Sequence, residues 1–239
     1  MILKTALHSI GIIGLLTAIP LSASAQKPTT CPVSKAPIIN VRPQTKAIEY
    51  DKTKTSAQLN QLKSNTISPY GLNVDQTTGG LRHDRPTIKM NATFNITQNP
   101  QTGSTCMSYN TINVDIQLQP KIYIAKEFNR GRCGREVLEH EKKHVHVDRV
   151  VMNKYTKKMG IAIQNAVNNA GVIGPFQSGR TEEFQKRMFD NVKSALTSIE
   201  LSMQNEMNIE QQKIDSLEEY ERVGKHCEKA SQRVLKNRR

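Results

Sequence analysis

The chain has 239 residues, with 34 basic and 21 acidic side chains, a net charge of +13, no Trp and only 5% aromatic residues. Such a charge favours anionic surfaces, an envelope polymer being the possible partner, although a basic surface needs no dedicated partner. No nucleic-acid motif is present and rings for base stacking are scarce, which argues against a specific nucleic-acid partner.

Residues 1–25 read as a secretory signal peptide. Lys4 gives the positive start, residues 10–19 the apolar stretch, and Ala23-Ser24-Ala25 a small-residue cleavage site. The apolar stretch is too short to span a bilayer, and no later segment is apolar enough, so no transmembrane segment is expected. Cleavage near Ala25 leaves 33 basic against 21 acidic side chains, or +12, on a secreted or periplasmic protein. Cys31 follows no lipobox-like sequence, so no lipid anchor is expected there. Residues 26–46, rich in Pro, Thr and Lys, read as an extended arm.

Residues 47–50 read as a short strand and 56–63 as a short helix. From Ile88 to Ile96 apolar and polar residues alternate, as they do again from Ile112 to Leu118, with an Asn99-Pro100-Gln101-Thr102-Gly103 turn between them. This period of two predicts an antiparallel hairpin with one wet face. Helical periodicity runs over 135–168, breaks at the Gly- and Pro-containing stretch 171–179, and resumes over 181–235. Thr181, Glu182 and Glu183 suit the positive end of the second helix. Strands first and helices after predict a single α+β domain over 47–239, with an antiparallel sheet over 47–125 and a helical C-terminal half.

The four cysteines Cys31, Cys106, Cys133 and Cys227 read as two disulfides in an exported chain. Of the three pairings, Cys133 with Cys227 is preferred, because it ties the motif helix to the C-terminal helix; Cys31 with Cys106 then pins the arm to the sheet.

One motif implies chemistry. His140-Glu141-Lys142-Lys143-His144 places two histidines four apart on a helix, about 6 Å apart along the axis and on one face. Both can reach one zinc ion, and Glu141 can act as base on a water at the metal. Val137, His140, His144, Val147, Val151 and Tyr155 form one stripe, so the histidines face the core side. Lys143 lies near the stripe and has to snorkel outward.

A catalytic zinc needs a third protein ligand. No third histidine follows at short spacing, and Asp148 lies about 12 Å along a straight helix from His140, too far to share an ion. An acid on the later helix is the remaining option. Glu210 lies in phase with the apolar stripe of that helix, between Met207 and Ile214, where an unpaired carboxylate would be costly. Asp215 and Glu218 lie on a neighbouring face.

From Ile48-Glu49-Tyr50 through the alternating strands to Leu138-Glu139-His140-Glu141-Lys142-Lys143-His144 and on to Leu217, the chain resembles a bacterial exported family. That family is predicted to consist of zinc-dependent proteases and is catalogued as domain of unknown function 922. The resemblance implies a zincin-like fold, His140 and His144 as zinc ligands and Glu141 as base. It also implies a late helix with an aromatic-Asp-x-x-Thr pattern, of which Ile214-Asp215-Ser216-Leu217-Glu218 keeps only the Asp. The third ligand therefore stays open between Glu210, from the stripe, and Asp215, from the resemblance.

The expectation is an exported zinc metallopeptidase acting on a protein or peptide substrate. An extended peptide would pair with strand 112–118 if that strand is an edge. The rival is a non-catalytic envelope-binding protein with a structural or vestigial zinc site. A closed fourth ligand, or a site with no cleft beside it, would favour the rival.

Overall fold

The computed structural model describes residues 30–62, 66–71 and 77–236. Their elements run β1 (Ile38–Thr45), β2 (Glu49–Asp51), α1 (Ser56–Asn60), β3 (Gly80–His83), β4 (Thr87–Gln98), β5 (Ser104–Leu118), β6 (Lys121–Ile124), α2 (Gly131–Ala170), β7 (Ile173–Gln177), α3 (Thr181–Ile214) and α4 (Leu217–Lys236). The signal peptide expected over 1–25 lies outside the described residues.

The architecture is α+β with two small sheets. The first has the order β1-β5-β4, with β7 also paired to β5. The β4–β5 hairpin is antiparallel, with Ile88 opposite Ile116 and Ala92 opposite Ile112. β1 runs parallel to β5, with Ile39 opposite Ile112 and Val41 opposite Val114. The sheet is therefore mixed, not antiparallel, and it begins inside the segment read as an arm. Proline and lysine disguised β1, which has Pro43 in its middle and pairs only with β5, the position at a sheet margin that Pro tolerates. The second sheet has the order β2-β6-β3, with β2 parallel and β3 antiparallel to β6.

Alternation in β5 decides which face of the first sheet is covered. Ile112, Val114, Ile116 and Leu118 are buried, and they pack with Met152, Tyr155, Met159 and Ile163 of α2 and with Met188, Val192 and Leu196 of α3. The opposite face carries polar cross-strand pairs, Asn40 with Asn113 and Arg42 with Asp115. A second core gathers Leu59, Ile122, Ile124, Phe128, Cys133, Val137, Val145, Cys227 and Val234 under the second sheet.

Helix α2 joins the two cores. Its 40 residues make a rod roughly 60 Å long, whose first half belongs to the second core and whose latter half belongs to the first. It ends at Gly171, where φ is +57°, a conformation that glycine adopts without strain. Partners across the helices descend in number on one side as they rise on the other: Tyr155 meets Glu206, His144 meets Gln211, and Glu136 meets Arg222. Both α3 and α4 therefore lie antiparallel to α2. The helix expected over 181–235 is two helices, parted at Asp215 and Ser216.

Cys31 pairs with Cys106, and Cys133 pairs with Cys227. The second bridge closes a separation of 94 residues and fastens the start of α2 to α4. Loop-closure entropy for a loop of that size is worth roughly 4.7 kcal/mol. Cys227→Ser, with Cys133→Ser to avoid a stray thiol, should lower the unfolding free energy by about that amount. Denaturant melts of the double variant against the parent chain measure it, and an unchanged midpoint would mean that α4 is held by packing alone.

Candidate metal centre and its cleft

In its third and fourth turns, α2, the longest helix among the described residues, carries His140, Glu141 and His144, all buried, at the junction of the two cores. Opposite them the α3–α4 break delivers Asp215, which is 4% exposed. Helix α3 stops at Ile214, because Asp215 takes a non-helical ψ of 46°. Ser216 then caps α4: its Oγ accepts from the Glu219 N–H at 3.3 Å. The break turns the Asp215 carboxylate inward, where a straight helix would carry it past.

The three side chains converge atom to atom. His140 Nε2 lies 3.2 Å from His144 Nε2, and Asp215 Oδ1 lies 3.1 Å from the first and 3.2 Å from the second. Four-coordinate zinc with bonds of 2.0–2.1 Å sets its ligand atoms about 3.3 Å apart, so the spacing suits one ion shared by all three. This buried group can hold a metal ion.

The hydrogen bonds behind the rings fix what those three atoms offer. Gln211 Nε2 donates to the His144 carbonyl at 3.0 Å and to Asp148 Oδ1 at 2.7 Å. A carbonyl can only accept, so the amide oxygen of Gln211 must face His144 Nδ1, with which it makes a close contact. That nitrogen donates, so in the neutral ring the lone pair is on Nε2. For His140 the partner of Nδ1 is Glu219 Oε1 at 3.4 Å. Hydrogen bonds from Arg222, and then from Lys143, hold the Glu219 carboxyl down to about 2, so it is an acceptor too. In their neutral forms both rings would thus turn Nε2, the nitrogen a metal takes, toward the Asp215 carboxylate.

Such a convergence draws in positive charge. Burial disfavours the charged form of His144, but its bond to Asp215 and the charge of Glu141 outweigh burial and push its proton affinity up. Burial raises Asp215, yet the bonds from His140 and His144 overcome this and hold it well below the usual carboxylate range. Glu141 is different. Burial dominates and raises its affinity for a proton, against the pull of both histidines and of the Arg82 backbone N–H.

Glu141 borders a cleft of about 370 Å³ between β3, α2 and α4. Gly80 of β3 is there for a steric reason. A Cβ on it would lie 2.6 Å from Val137 Cγ1 and 2.7 Å from Glu141 Oε1, so only glycine lets this strand approach the helix. Tyr220 closes the other side, with its ring 5.9 Å from His140 and a hydrogen bond to Asp215.

Of the residues singled out from the sequence, His140, His144 and Asp215 are brought together and Glu141 lies beside them. Glu210 lies outside the group. Its carboxylate pairs with Lys213 at 2.6 Å on the surface, because the buried line of α3 runs Met203, Met207, Gln211, Asp215, and Glu210 falls one residue off it. Asp148 is buried outside the group, in an ion pair with Arg82 that also engages Asp84. Strand β5 is not an edge over 111–118, since β1 and β4 flank it; the strand bordering the cleft at a sheet margin is β3. Sequence reading missed Gln211, Glu219, Tyr220 and the paired glycines at 79 and 80. One signal was readable: Ser216-x-x-Glu219 has capping-box spacing and marks a helix start just after Asp215.

No family model, curated protein or solved structure matches the chain.

Gln211→Leu should leave the helices folded, yet weaken metal binding by about 10- to 100-fold, the usual cost of removing a group that orients a ligating histidine. Zinc competition against a chelating dye measures it, with circular dichroism as the control for folding. An unaltered affinity would show that His144 holds its orientation without the amide.

Proposed function

We propose that this chain is an exported zinc-dependent metallopeptidase, akin to the bacterial family its motif segment resembles. The observation that carries the reading is the convergence of His140 Nε2, His144 Nε2 and Asp215 Oδ1 beside a buried glutamate that opens on a cleft. Imidazole nitrogens with one carboxylate are a donor set that suits zinc, and three protein ligands leave a position open for chemistry. Among the described residues no fourth His, Cys, Asp or Glu joins the group, which favours an open site over a closed structural one. Two disulfides support an oxidising destination, and no helix among the described residues is long and apolar enough to cross a membrane.

When bound, zinc supplies a Lewis acid that polarises a carbonyl and makes a neighbouring water more acidic. The residues do the rest. Glu141, with its proton affinity raised by burial, accepts the proton of the attacking water and passes it to the leaving amine. Gln211 and Glu219 keep both histidines in the tautomer that presents Nε2. Tyr220 and Asp215 hold each other in place at the cleft wall. A substrate backbone would run along β3, past Thr78, Gly79 and Gly80. The rival, a non-catalytic envelope-binding protein, has less support, because the cleft opens on Glu141 itself.

Purified chain should hold about one zinc. His140→Ala and His144→Ala should each abolish binding, Asp215→Ala should weaken it by orders of magnitude, and Glu210→Ala should leave it unaltered. Elemental analysis and chelator competition decide this. Full zinc content in all four variants would remove the site. Glu141→Gln should keep the metal and lose hydrolysis of a general peptide substrate. Turnover unchanged by that substitution would remove Glu141 from the reaction.

A further inference from the structure

The cleft beside Glu141 has a chemical character of its own. Its buried lining includes Phe128, Val137 and Cys227, all members of the second core, with Val223 packed beside them, and the hydroxyl-bearing Tyr70, Thr77, Thr78, Tyr220 and Ser231 complete the wall. At about 370 Å³ it lies at the small end of ligand clefts, which run from about 300 to 1,000 Å³, and so matches one or two side chains, not a bulky cofactor. Gly224, on the exposed side of α4, also lines it, and a Cβ there would meet nothing within 4 Å. A glycine inside a helix costs about 1 kcal/mol relative to alanine, so packing does not account for its presence.

We propose that this cleft is a selectivity pocket for a large apolar side chain, Leu or Phe, of a peptide lying across the site, and that Gly224 sets its width. The proposal rests on the peptidase reading and deepens it. His140 and Glu141 line the same cavity, so a side chain seated there belongs to a residue adjoining the bond presented to them. A basic side chain is disfavoured, because Glu141, the one acid lining the cavity among the described residues, already faces both histidines and the Arg82 N–H. Apolar burial against Phe128, Val137 and Val223 offers a Leu or Phe side chain about ten- to hundredfold in affinity over glycine.

The test uses the full zinc-loaded chain carrying Glu141→Gln, so that binding is read without turnover. Blocked tripeptides Gly-X-Gly, with X as Gly, Ala, Leu, Phe or Lys, are titrated by calorimetry. Leu and Phe should bind about ten- to hundredfold tighter than Gly. Adding Gly224→Leu should bring that ratio close to unity, with Gly224→Ala falling between; thermal melts and zinc content check that each variant is folded and loaded. Equal binding across the series, tightest binding for Lys, or discrimination untouched by Gly224→Leu would overturn the pocket. Hydrolysis by the wild-type chain is scored separately. If no peptide is cut while the Leu and Phe preference stands, the peptidase reading fails and the pocket survives as a binding site.

Discussion

Two imidazoles, each met at Nδ1 by a side-chain oxygen, turn their Nε2 atoms toward each other and toward a carboxylate. In a buried setting this is unfavourable unless a cation, a proton or a metal ion, arrives. Much of the surrounding structure serves to hold that arrangement. Gln211 is anchored by the His144 carbonyl and by Asp148, and Asp148 by Arg82, whose other guanidinium nitrogen reaches Asp84 at 2.9 Å. Glu219 is anchored by Arg222 and Lys143. Each imidazole is therefore gripped from behind by a chain of polar contacts that ends on an arginine.

The placement of the motif along α2 explains how a polar centre is tolerated inside the protein. The helix passes from one apolar core to the other, and His140 and His144 sit near the crossing, with Val137 in one core and Val151 in the other. The cores fix the helix at both ends of the site, so the intervening turns can carry charge without relying on it for stability. Buried ion pairs such as Arg82 with Asp148 add little net stabilisation, because desolvation offsets their attraction. Their contribution here is to geometry.

Legibility in the sequence followed the strength of each periodic signal. The alternation in β4 and β5 and the long apolar stripes of α2 and α3 could be read directly. Strands β3, β6 and β7 span four or five residues, too few for a period of two to stand out. The β1–β5 pairing joins Ile38 to Thr111, and a local pattern carries no record of so distant a partner. At the site, the placement of His140, Glu141 and His144 on the buried side of one helix was legible, because a spacing of four sets it. Asp215 was in view only as an alternative. Treating 181–235 as one helix favoured Glu210, whereas the buried line leaves apolar residues after Met207 and continues through Gln211 to Asp215. A stripe defined by hydrophobicity ends where a polar site begins, which is why Gln211 went unseen.

The separation between the donor groups has a thermodynamic corollary. His144 and Asp215 are 71 positions apart, and Asp215 belongs to the joint between the last two helices. The coordination shell of an ion held there would therefore be completed only when the C-terminal third of the chain is docked on α2. Occupancy and docking are linked equilibria, and by reciprocity each strengthens the other by the same factor. An ion taken up at this joint would act as a clasp between α2 and the α3–α4 hinge: loss of metal would loosen the C-terminal segment, and release of that segment would lower the affinity for metal.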